Sequence, residues 1–92
     1  MLLTDKVGLV TGGGAGIGRA TSLMFAEDGA RVAVADLRLS AAEETVAMIR
    51  ERGGEAIAIA ADVSSETDVK AMVESTIAAF GRLDCACNNA AG

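Results

Sequence analysis

Proline, histidine, tryptophan and tyrosine are all absent from this 92-residue chain, which holds only two cysteines and two phenylalanines. With no histidine, and with Cys85 and Cys87 as the sole cysteines, the ordinary ligand set of a zinc site cannot be assembled, so no residue is assigned to a metal. Basic residues are few: eight Lys and Arg, scattered singly, stand against thirteen Asp and Glu, for a formal charge of −5. That balance offers no stripe for a nucleic-acid backbone or an anionic membrane surface, and both partners are discounted. No apolar run approaches the length of a bilayer span, and the N-terminus lacks the basic and apolar regions of a secretory signal, so the expectation is a soluble cytoplasmic protein. The missing proline fits a chain made almost wholly of regular elements, without linker or repeat.

What the chain does have is aliphatic. Hydrophobic residues make up 51% of it, mostly Ala, Val, Ile and Leu, which suits parallel strands buried under close-packed helices. The length suits one small domain, 1–92. Short apolar runs at 6–11, 31–36, 55–61 and 85–88 predict strands, and 16–28, 41–52 and 66–80 predict helices that stop at Gly29, Gly53-Gly54 and Gly81. Ser40 with Glu43 fits a capping box at the second helix, and Ser65 with Asp68 a weaker one at the third. Val69, Val73, Ile77 and Phe80 recur at helical spacing and predict a core-facing stripe, as do Ala42, Val46 and Ile49. The two cysteines, two apart on a strand, are expected to be buried packing residues. The order βαβαβαβ predicts an α/β fold, a partial Rossmann-type doubly wound parallel sheet with strand order 3-2-1-4. Its ligand crevice lies at the carboxyl ends of the first and fourth strands, where 11–18 and 88–92 meet.

The segment from Thr11 to Gly18 reads as a phosphate cradle, because a strand that turns at once into a helix through small residues leaves backbone N–H groups pointing at an anion. Gly12, Gly16 and Gly18 give the spacing G-x-x-x-G-x-G, and Thr11, Gly14 and Ile17 complete the candidate loop; the alternative is a glycine-rich turn without ligand. Asp36 ends the second strand eighteen residues after Gly18, where a carboxylate can accept from the ribose hydroxyls of an adenosine. Its charge would select NAD over NADP: two unit charges about 4 Å apart at an effective dielectric near 20 repel by about 4 kcal/mol at most. Leu37 offers a 2′-phosphate no counter-charge, whereas Arg38 could reach one or remain a solvated surface residue. Asp36 could instead serve as a turn or cap ahead of Ser40. Asp62-Val63, after the third strand, can accept from an adenine amino group and lie against the ring, or be a plain turn. Asn88-Asn89-Ala90 can hold neighbouring strands together and present backbone to the cofactor ribose, or again mark a turn.

Together these residues resemble the short-chain dehydrogenases/reductases. Thr11-Gly12-x-x-x-Gly16-Ile17-Gly18 is similar to the family's cofactor motif, Asp36 to its NAD-selecting acid, Asp62-Val63 to its adenine-contacting pair and Asn88-Asn89-Ala90 to its Asn-Asn-Ala-Gly motif, with Ala91 standing where that motif has glycine. The resemblance implies an oxidoreductase that transfers hydride between NAD and an alcohol or carbonyl substrate, in a parent that forms homo-oligomers. It also implies a later Ser and a Tyr-x-x-x-Lys pair, and the chain has no tyrosine and only Lys6 and Lys70 as lysines. The expectation is therefore the N-terminal NAD-binding part of such an enzyme, without the catalytic half, with no catalytic residue of its own and inactive alone. Two other classes stay open: a stand-alone dinucleotide-binding or sensing module, and a non-catalytic interaction protein. An exposed fourth strand and a sheet face carrying only the third helix predict a marginal, aggregation-prone unit.

Overall fold

Runs of small and β-branched residues without proline can be buried on both faces of a parallel sheet, and the first two strands of this chain are. The computed structural model describes residues 2–89. Strands β1 (Val7–Thr11), β2 (Arg31–Asp36), β3 (Ala56–Ala60) and β4 (Cys85–Asn88) alternate with helices α1 (Gly16–Glu27), α2 (Leu39–Glu51) and α3 (Glu66–Phe80). The strands form one parallel sheet in the order β3-β2-β1-β4, as expected. Leu9 is in register with Ala33 on one side and Ala86 on the other, and Thr11 with Ala35 and Asn88, so the strand ends that carry the candidate motifs lie side by side.

Helices α1 and α2 cover one face, over a core of Val10, Val32, Val34, Ala42, Val46 and Ile49, which bears out the stripe read for the second helix. On the other face Met72 of α3 packs over Leu9, Ala33, Ala35 and Ala61, with Val73 and Phe80 of the expected stripe half-buried against the same cluster. Asp84 fastens the entry of the sheet: one carboxylate oxygen accepts from the Val7 N–H at 2.8 Å and the other from the Arg82 guanidinium at 2.7 Å. Arg82 and the Val7 N–H hold the Asp84 carboxyl below the usual carboxylate range. Among the described residues, no helix is long and apolar enough to cross a membrane.

Three local expectations are corrected. Ser40 does not cap α2: the helix starts at Leu39 with Arg38 at the cap position and no side-chain cap, because Asp36 accepts from the Arg38 N–H at 3.0 Å and turns the chain two residues earlier. Ser65 does cap α3, accepting from the Asp68 N–H at 3.2 Å, while the Asp68 carboxylate reaches back to the Asp62 N–H at 2.9 Å. The buried line of α3 is Met72 and Thr76, whereas Val69 and Ile77 are 36% and 45% exposed. Among the described residues no other helix shares its face, so α3 fully buries Met72 and Thr76, half-buries Val73 and Phe80, and leaves Val69 and Ile77 outside. The third correction concerns Cys85 and Cys87, which are exposed and half-buried because β4 is an edge strand.

Candidate functional site

All four strands deliver their carboxyl ends to one rim of the sheet, and the candidate residues within the described range collect there. The loop after β1 is fixed from within the protein. Gly13 donates its N–H to the Ala35 carbonyl at 3.0 Å, and Gly14 donates to the Asp36 carboxylate at 3.0 Å. The Gly13 carbonyl accepts from the Thr45 hydroxyl at 2.9 Å, and the Gly14 carbonyl accepts from the Arg19 guanidinium at 2.6 Å. Gly14 is buried against Ala41 of α2, so it is a packing contact rather than part of the open mouth.

The open mouth is formed by Gly16 and Ile17. Gly16 has φ +54° with free space where a side chain would be, and Ile17 is 77% exposed. Gly18 has the opposite surroundings: a Cβ there would run into the Gly12 carbonyl, so its absence lets α1 sit directly on the loop. The helix opens at Ala15 without a side-chain cap and without an acidic residue in its first turn. Its leading N–H groups, which lack intrahelical partners, are therefore left for an anion.

Asp36 sits beside this mouth and serves the loop and the turn together, one carboxylate oxygen on Gly14 and the other on Arg38. An ionised carboxylate has about four acceptor positions, so both oxygens keep capacity for hydroxyl donors. Leu37 beside it is 71% exposed, an apolar surface at the same rim. Asp62 accepts from both the N–H and the hydroxyl of Ser64, at 2.9 and 2.7 Å, and these bonds, the hydroxyl first, hold its carboxyl below the ordinary carboxylate range. Val63 is half-buried and lines an apolar groove that continues along α3 past Val69 and Val73.

On the β4 side, Thr11 donates its hydroxyl to the Asn88 side-chain oxygen at 2.8 Å, and the Asn89 N–H reaches the Thr11 carbonyl at 3.1 Å. The side-chain Nδ2 of Asn89 is buried without an acceptor. An orphaned buried donor costs about 1–3 kcal/mol, so the site is incomplete until an acceptor oxygen arrives. Ala90 lies outside the described residues. The leading N–H groups of α1, the cradle at Gly16, the spare capacity of Asp36 and the orphaned Asn89 amide fit a phosphorylated, hydroxyl-rich ligand.

Arg19 and Thr45 were missed in the sequence, although they hold the loop together. Arg19 reads as a surface residue on the first helix, and Thr45 as one more β-branched residue on the buried side of the second. A hydroxyl among Ala42, Val46 and Ile49 was the available signal, since a buried hydroxyl must find a partner.

The chain matches the family model described as short chain dehydrogenase over residues 6–92. It is 50% identical over 91 residues to a short-chain dehydrogenase/reductase homolog, YusS, of Bacillus subtilis, covering 98% of this chain and 84% of that one. It is 52% identical over 89 residues to a 2,5-dichloro-2,5-cyclohexadiene-1,4-diol dehydrogenase of Sphingobium indicum, covering 97% of this chain but 34% of the relative. Among solved structures, a hydroxysteroid dehydrogenase from Escherichia coli superposes with a TM-score of 0.95 at 39% identity, over 98% of this chain and 38% of that one. A 7α-hydroxysteroid dehydrogenase complexed with NADH and 7-oxo glycochenodeoxycholic acid superposes equally well, with a TM-score of 0.95 over 98% of this chain and 35% of the other.

Proposed function

The chain belongs to the short-chain dehydrogenases, and from that membership we propose that its 92 residues are the N-terminal NAD(H)-binding part of such an oxidoreductase. The loop from Thr11 to Gly18, including Gly12, with Gly16 and Ile17 at its mouth and Gly14 packed behind it against Ala41, holds the pyrophosphate of the cofactor. Asp36 accepts from the adenosine ribose beside Leu37, Asp62 and Val63 receive the adenine, and Asn89 with Ala90 serves the nicotinamide-side ribose. When bound, the dinucleotide supplies the ring that gives or takes a hydride. The alcohol or carbonyl substrate and the proton-transferring tyrosine belong to a parent protein, because this sequence has no tyrosine to exchange a proton.

One observation carries the choice of cofactor: the Asp36 carboxylate lies 3.0 Å from the Gly14 N–H, so a negative charge is fixed against the phosphate loop. A 2′-phosphate brought there meets like charge. The bound NADH in the 7α-hydroxysteroid dehydrogenase relative supports the same reading.

Fluorescence titration of the purified chain with NADH and NADPH tests it. The expected result is saturable NADH binding, NADPH weaker by about tenfold or more, a narrower gap in Asp36→Ser, and no alcohol oxidation. Tighter binding of NADPH would overturn the assignment of Asp36, and turnover by a preparation of matching intact mass would overturn the inactivity. The Bacillus relative, of which the chain covers 84%, supports a second reading, a stand-alone dinucleotide-binding module. NADH binding without any catalytic partner in the cell favours that reading, and binding to neither nucleotide favours an interaction protein.

A further inference from the structure

We infer that Arg19, acting with Thr45, is a positioning residue for the phosphates: a clasp behind the glycine loop that turns the Ala15 N–H outward. The inference rests on the dinucleotide-binding reading above and deepens it. Arg19 stands in the first turn of α1, one residue past Gly18, and its guanidinium makes two bonds. Its Nη2 donates to the Gly14 carbonyl at 2.6 Å, and its Nε donates to the Thr45 hydroxyl at 3.0 Å. Thr45 is fully buried and passes its own hydroxyl proton on to the Gly13 carbonyl at 2.9 Å. Two successive loop carbonyls are thus held inward by one connected group of donors.

A peptide unit is planar, and when trans its C=O and N–H point in opposite directions. No peptide bond here is cis. Fixing the Gly14 carbonyl inward therefore aims the next N–H, that of Ala15, away from the protein and toward the mouth at Gly16. Fixing the Gly13 carbonyl sets the Gly14 N–H in the same way, here onto Asp36 at 3.0 Å and not into the mouth. The clasp decides which way the loop presents its donors.

The charge of Arg19 is a second, independent pointer. A cation in the first turn works against the helix dipole, which favours negative charge there. The first turn of α1 has no acidic residue to offset it, and Glu44, 3.7 Å from Nη2, lies on α2 and is 66% exposed. Arginine at this place is favourable when an anion occupies the mouth, where its charge and the dipole act in the same sense.

The test compares ligands with and without phosphate. The chain and its Arg19→Met, Thr45→Val and Thr45→Ser variants are titrated with ADP-ribose and with adenosine, read by amide shifts in two-dimensional NMR, which also reports whether each variant is folded. Arg19→Met and Thr45→Val are expected to weaken ADP-ribose about tenfold while adenosine stays within about twofold, and Thr45→Ser to bind as the parent chain does. Equal losses for both ligands, or no loss, would overturn the clasp and leave the dinucleotide reading standing. If the parent chain binds neither ligand, that reading fails and the clasp fails with it. If Arg19→Met does not fold, the contrast between Thr45→Val and Thr45→Ser decides alone.

Discussion

Gly16 and Gly18 are both glycine for reasons that a substitution can separate. Gly16 needs a left-handed backbone but has open space around it, whereas Gly18 has no room at all because the Gly12 carbonyl occupies the position of its Cβ. Gly16→Ala is expected to cost about 1–2 kcal/mol of stability through backbone strain, with a folded chain and a small shift of the melting temperature. Gly18→Ala should push α1 off the loop, cost about 1–3 kcal/mol or more by overpacking, and abolish NADH binding; melting curves with and without NADH check both. The glycine spacing was legible because each requirement is set by backbone within a few residues. Arg19 and Thr45 were not, since these residues, 26 positions apart, meet only through the way two helices are turned toward each other. The turn role expected of Asp36 and Asp62 is present in the structure, with Arg38 and with Ser64, and each carboxylate still keeps acceptor capacity.

At the level of elements, the alternation of strands and helices and the order β3-β2-β1-β4 followed from apolar runs and crossover handedness, which local rules fix strongly. The helix starts were less legible because two side chains can compete for one turn. Ser40 and Glu43 have the spacing of a capping box, yet Asp36 reaches the chain first and α2 begins ahead of Ser40. Ser65 caps α3 although Asp62 makes a comparable turn with Ser64 just ahead of it, because α3 starts directly after Ser65. Ser65→Ala is therefore expected to cost about 1 kcal/mol and Ser40→Ala only a few tenths, measured by urea denaturation of the two variants side by side. Of the stripe on α3, Val73 and Phe80 pack against the core while Val69 and Ile77 do not, for a different reason. Periodicity finds an apolar line on a helix but cannot say which side of that line meets the sheet, and here Met72 and Thr76 meet it while Val69 and Ile77 do not.

For the whole molecule, the two sheet faces are unequal. Helices α1 and α2 share one face, and α3 alone covers part of the other, leaving Val69, Val73 and Val63 along an apolar groove of about 520 Å³ with Ile77 exposed on the same helix. Apolar surface of this kind drives association in water. The chain by itself is expected to sediment as a concentration-dependent mixture of species. Ile77→Lys should shift that mixture toward monomer in sedimentation velocity while NADH affinity stays unchanged, because Ile77 is exposed and does not line the groove that begins at Val63. A single monomeric boundary for the parent chain at all concentrations would count against this.

The bond between the Thr11 hydroxyl and the Asn88 side chain joins residues 77 positions apart, and with the β1–β4 register it closes almost the entire chain into one loop. Closing so long a loop carries an entropy cost that must be met before the contact gives any reward. The β4 wall of the nucleotide site does not exist until that closure, so a dinucleotide cannot template the early steps of folding. On the dinucleotide-binding reading, it would act afterwards as a latch, drawing closed molecules out of the unfolding equilibrium by mass action. On that reading the population of closed molecules would depend on the nucleotide concentration.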